Sequence, residues 1–135
     1  MSIRSAGGRW WLAAVGLLVG LLVACGGSGG GCADTGEPLA DHIITMTMLD
    51  TMKFVPDSFT VKAGRTVCVE LTNKGVLIHD FVVRDGDKET RVELSGGKHG
   101  VALFTAPTVP GEYEFACIVP GHTEAGMKGV MRVVA

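Results

Sequence analysis

From His42 to the C-terminus, apolar residues recur at every second position and break off at glycine, proline or asparagine. That period belongs to a strand with one buried face; an amphipathic helix would repeat every three to four residues. In "IITMTML" Ile44, Met46 and Met48 alternate with Thr45 and Thr47. "DSFTVKAG" ends in a turn signal, and "TVCVELTNKG" runs into the Asn73-Lys74-Gly75 turn. "LIHDFVV", "VALFTA", "EYEFAC" after the Pro110-Gly111 turn, and "GVMRVV" complete the series, while "RDGDKETRVELSGGKHG" reads as a charged loop. Seven to eight short strands with such punctuation predict an all-β fold, an antiparallel Greek-key sandwich or barrel over residues 42–135. A domain of that size can bury an adequate core unaided.

The N-terminus is of another kind. Arg4 and Arg9 precede "WWLAAVGLLVGLLVAC", which carries no charge from Trp10 to Cys25. A basic start followed by a short apolar run is the pattern of an export signal, and the run is shorter than the ~20 residues of a spanning helix. "LVAC" resembles a bacterial lipobox, which implies cleavage after residue 24 and a lipid on the Cys25 thiol. The alternative is an uncleaved anchor helix. Either way the domain is exported and held at a membrane surface, facing the periplasm or the cell exterior. "GGSGGG" (26–31) then opens a flexible tether through residue 41. Without Arg4 and Arg9 the chain keeps 10 basic against 14 acidic side chains and has no basic patch, which argues against nucleic acid.

Two of the four cysteines remain after Cys25 and Cys117 (below) are set aside. In an oxidising compartment leftover cysteines often pair. Val67, Val69 and Leu71 make one face of "TVCVELT", so Cys68 lies on the other, within reach of Cys32 on the incoming segment. Cys32 and Cys68 are therefore a candidate disulfide, or else two free thiols.

"EFACIVPGHTEAGMKGV" (114–130) places Cys117, His122 and Met127 as C-x4-H-x4-M on a loop rich in glycine and proline. Thiolate, imidazole and thioether together select copper, with zinc as competitor, and two histidines, one cysteine and a weak axial methionine describe a blue-copper centre. Tyr113, Phe115 and Cys117 share one strand face, so inward aromatics also turn the Cys117 sulfur inward. A second histidine must come from elsewhere. His79, in an apolar strand after a turn, needs a polar partner or a metal if buried. His42 and His99 occupy ordinary positions for solvated histidines; Met46, Met48 and Met52 read as core or edge residues, with Met131 a fallback axial ligand.

The stretches "MKFVPDSFTVKAGRTVCVELTNKGVLIHDF" and "GEYEFACIVPGHTEAGMKGVMRVV" resemble the two halves of a cupredoxin, a type 1 copper protein of the plastocyanin/azurin superfamily. The spacing, tether and lipobox are most similar to the membrane-tethered auracyanin type; plastocyanin has a shorter loop between Cys and His, azurin a shorter one between His and Met. The resemblance implies one type 1 copper ion with His79, Cys117 and His122 as equatorial ligands and Met127 as the axial one. It implies a monomer that shuttles single electrons among transient partners such as a c-type cytochrome, a membrane redox complex or an oxidase, docking through Val76, Leu77, Val119 and Pro120. Pro120 stiffens the approach to His122, and Gly121, Gly126 and Gly129 permit a tight loop. Asp80 and Ile118 depart from the family, which commonly has asparagine after the strand histidine and a hydroxyl after the cysteine. An ionised, inward Asp80 would lower the reduction potential; backbone N–H bonds to its carboxylate would mute that effect. A copper-carrying chaperone that delivers copper to an exported oxidase is the alternative function, although the chain lacks the Met- and His-rich motifs of such carriers. With no further His pair, copper-oxidase or nitrite-reductase catalysis is not expected, and the chain is not read as an enzyme.

Overall fold

The computed structural model describes residues 31–34 and 40–135. A 3-10 turn, Cys32–Asp34, precedes nine strands: β1 (His42–Leu49), β2 (Lys53–Val55), β3 (Ser58–Lys62), β4 (Thr66–Asn73), β5 (His79–Asp85), β6 (Lys88–Leu94), β7 (His99–Thr105), β8 (Gly111–Ala116) and β9 (Lys128–Val134). One sheet has the order β2-β1-β4-β7 and the other β3-β9-β8-β5-β6. Their inner faces enclose Met46, Met48, Val67, Val69, Leu71, Phe81, Phe115, Met131 and Val133, each almost wholly shielded from solvent. Phe115 sits at the centre, with ring centroids 5.3 Å from those of Phe54, Phe59 and Phe81. Phe81 lies two residues after His79 on β5, and Phe115 two before Cys117. The aromatic cluster thus anchors the strand ends that matter below.

The all-β sandwich expected from the alternation is present, with nine strands instead of seven to eight, the short β2 among them, and with two further differences. β1 pairs parallel to β4, and β3 parallel to β9, so the sheets are mixed rather than antiparallel. The reason lies in the route: after the β1–β2 pairing the chain crosses to the second sheet as β3, then returns beside β1 as β4. Crossing over and back makes neighbours parallel, whatever the alternation within each strand. Second, the charged segment is no loop. Lys88–Leu94 forms β6, paired with β5 from Asp85↔Lys88 to His79↔Leu94 and closed by a turn through Gly86, whose φ is 57°. Its charges are those of an edge strand, where they discourage pairing with another chain.

The structure joins Cys32 to Cys68 in a disulfide. Cys68 lies outside the core cluster, yet is buried because the Cys32 turn covers it, and the Cys32 amide donates to Glu70 Oε1 at 2.9 Å. The tether expected over 25–41 is therefore pinned to the sandwich at Cys32. Cys25 and the segment expected to be an export signal lie outside the described residues. Among the described residues, no helix is long and apolar enough to cross a membrane.

Candidate metal centre

His79 opens β5, Cys117 directly follows β8, and His122 stands in the loop between β8 and β9. Asn73 positions the first of these. Its buried side chain donates from Nδ2 to the Leu77 and Leu94 carbonyls, at 2.8 and 2.9 Å, while Oδ1 accepts from Gly75 N at 2.9 Å. One amide thus ties the end of β4, the 74–78 loop and the end of β6 together. The second loop closes on itself: Cys117 N donates to the Met127 carbonyl and Met127 N to the His122 carbonyl, both at 2.9 Å. Thr123 Oγ1 also donates to the Cys117 carbonyl. Gly121 and Gly126 hold φ values of 86° and 100°, which side-chain-bearing residues rarely adopt.

This architecture brings His79, Cys117 and His122 together, with one donor atom from each within 4.8 Å of the others. The two Nδ1 atoms are 3.2 Å apart, and Cys117 Sγ is 3.3 Å from His122 Nδ1. His79, Cys117 and Met127 are buried and His122 partly so. Met131 is buried too, but it lines a cavity with Val83, Arg84 and Asp85, at the end of β5 remote from His79. The other histidines serve locally: His42 Nε2 accepts from Lys62 N at 3.1 Å, and exposed His99 bonds Thr72 Oγ1 at 3.0 Å.

Two carboxylates stand behind the donors. Asp80 is fully buried; its amide donates to Cys117 Sγ at 3.4 Å and its Oδ1 accepts from Ile118 N at 2.6 Å. Arg91 brings a guanidinium nitrogen 2.8 Å from Oδ2, in charge contact although no N–H is aligned on that oxygen. The carboxylate is inward, but with a backbone donor and a cation on it. Burial pushes the Cys117 thiol pKa up, opposed by the Asp80 amide. Metal uptake therefore has to displace a proton from the sulfur. The second carboxylate, Asp50, is one that sequence reasoning missed. Its Oδ1 lies 3.1 Å from His79 Nε2, the nitrogen facing away from Cys117 and His122. The Val76 amide foremost, with His79 and Leu77 assisting, holds the Asp50 carboxyl below the usual carboxylate range against partial desolvation. No signal marks it in "MLDTMKF", where an aspartate reads as an ordinary turn residue.

The cupredoxin-like domain family matches residues 20–133. The chain belongs to that family. A copper-resistant cuproprotein of Rubrivivax gelatinosus, CopI, is 33% identical over 108 residues, which are 67% of this chain and 65% of that protein. This cupredoxin therefore spans about two thirds of that relative's length. Among solved structures, the dithionite-reduced auracyanin of Roseiflexus castenholzii is 26% identical with a TM-score of 0.64, covering 71% of this chain and 99% of that one. Auracyanin B (20% identical, TM-score 0.65, covering 78% and 97%) shares the fold, as does an azurin of Methylomonas sp. strain J (20%, TM-score 0.59, covering 71% and 100%).

Membership implies copper binding, and the donors fit it. A thiol and two imidazoles converge, the buried Met127 thioether belongs to the same loop, and neither carboxylate joins the cluster of donor atoms. Soft and borderline ligands without oxygen donors suit copper over magnesium, calcium or manganese.

Proposed function

We propose that this cupredoxin is an electron-transfer protein in which His79, Cys117, His122 and Met127 would hold one type 1 copper ion. Bound copper supplies a one-electron couple between Cu(I) and Cu(II). What carries the reading is the convergence of the Cys117 sulfur with both Nδ1 atoms on braced elements. His79 and Cys117 sit at the ends of strands locked by the Phe115 cluster, and the His122 loop is closed by main-chain bonds at both ends. Ligands held this firmly move little when charge changes, which favours fast electron exchange. Val76, Leu77, Ile78, Ile118 and Pro120, all exposed, belong to the two loops that deliver His79 and His122. A small apolar face of this kind suits a partner that must bind and leave quickly. Residues 1–24 would be removed as an export signal, leaving a lipid on Cys25 and a tether that holds domain 42–135 over the outer face of the membrane.

The relative described as a copper-resistant cuproprotein favours a second reading, in which the chain hands over the metal itself. Stopped-flow mixing of the reduced, copper-loaded protein with an oxidised c-type cytochrome separates them. Electron transfer is expected to proceed with copper retained, and Val76→Asp to slow it while leaving the reduction potential unchanged. Loss of copper to a Cu(I) acceptor, with no competent electron exchange, would support the carrier instead.

A further inference from the structure

Asp50 lies one residue past β1, on neither segment that carries a donor atom. Its carboxylate nonetheless gathers three N–H groups: Oδ2 accepts from Val76 N at 2.8 Å, and Oδ1 lies 3.3 Å from Leu77 N and 3.1 Å from His79 Nε2. The 74–78 loop makes room for it at Gly75, where a Cβ would stand 1.8 Å from Asp50 Oδ1. The loop does not need Asp50 to reach β1, because Lys74 N already donates to the Met48 carbonyl at 3.0 Å.

Two consequences follow. An ionised carboxylate only accepts hydrogen bonds, so the contact with Asp50 places the His79 proton on Nε2 and leaves Nδ1, on the Cys117 side, with its lone pair free. Moreover, among the described residues no lysine or arginine nitrogen lies within 4.0 Å of Asp50, whereas Asp80 has Arg91 beside it. The Asp50 charge therefore reaches the imidazole without a neighbouring cation to offset it.

We propose that Asp50 is a positioning residue of the copper site, which fixes the Nε2–H tautomer of His79 and, by making the ring a stronger donor, lowers the reduction potential. The proposal rests on His79 being a copper ligand. Partners of this kind behind a metal-bound histidine are worth about 10- to 100-fold in metal affinity. A more basic imidazole favours Cu(II) over Cu(I), so losing the charge raises the potential.

The test compares Asp50→Asn, which keeps an acceptor of similar shape, with Asp50→Ala. In the metal-free proteins, imidazole 15N NMR is expected to show the Nε2–H tautomer of His79 in wild type and a tautomer mixture in Asp50→Ala. In the copper-loaded proteins, Asp50→Asn is expected to lower Cu(II) affinity about tenfold relative to Cu(I) and to raise the potential accordingly. An unchanged tautomer in Asp50→Ala, or a potential in Asp50→Asn equal to wild type, would overturn the proposal even if both variants unfold more easily. A wild type that forms no copper–thiolate band would instead sink the electron-transfer reading and the tuning with it. The tautomer measurement, made without metal, reports on the Asp50–His79 link by itself.

Discussion

Replacing Cys32 and Cys68 together by alanine removes a cross-link between residues 36 apart in sequence. Closing a loop of that length takes about 13 cal/mol/K from the unfolded chain, or roughly 4 kcal/mol at 25 °C, in the chain-entropy relation. Domains of this size have about 5–15 kcal/mol to lose, so the fold survives with much of its margin gone. The melting temperature should fall by about 15–30 °C. The comparison is best made by guanidinium unfolding of the metal-free protein, with Cys117→Ser in both chains so that no third thiol exchanges. Because the freed unfolded chain exposes more surface, the denaturant slope should also rise. A loss under about 1 kcal/mol with an unchanged slope would refute the view that the bridge acts by restraining the unfolded chain. It would also mean that pinning residue 32 contributes little to the sandwich.

Three further substitutions follow from the geometry. Asn73→Ala strands two carbonyls and one amide around the His79 loop and should cost about 2–4 kcal/mol in urea unfolding; a loss within 0.5 kcal/mol would show that water replaces the amide. Gly129→Ala would set a Cβ 2.3 Å from both the Asp57 carbonyl and Phe115 Cζ, so a cost of about 1–3 kcal/mol is expected in the same assay, and a neutral result would contradict the tight approach of β9 to the aromatic cluster. Voltammetry of Asp80→Asn should give a higher potential and of Arg91→Gln a lower one, each within the ~59 mV of a tenfold one-electron change, with the double variant near wild type. An Arg91→Gln potential equal to that of wild type would show that Arg91 does not offset Asp80.

The period-two alternation carried the fold class because burial on one strand face is a local property of sequence. Strand direction is not local, so the parallel β1–β4 and β3–β9 pairs could not be read from any one segment. The stretch at 88–94 was obscured for a related reason: an edge strand buries little, and the lysine, glutamates and arginine that protect it read as a loop. At the candidate site, Cys117, His122 and Met127 were legible because they share one loop, and His79 because an apolar setting makes a histidine conspicuous. Asp50 and Arg91 were not. They act across strand pairings, 29 residues from His79 in one case, and aspartate in a turn or arginine on a strand is unremarkable by composition.

Whether Cys117 binds copper as a thiolate beside two imidazoles decides the function of this cupredoxin. Titrating the metal-free protein with Cu(II) and recording the visible spectrum tests this directly. An intense thiolate-to-copper charge-transfer band is expected to grow to saturation at one equivalent and to be missing from Cys117→Ser. A protein that stays colourless, or a band that persists in Cys117→Ser, would contradict it.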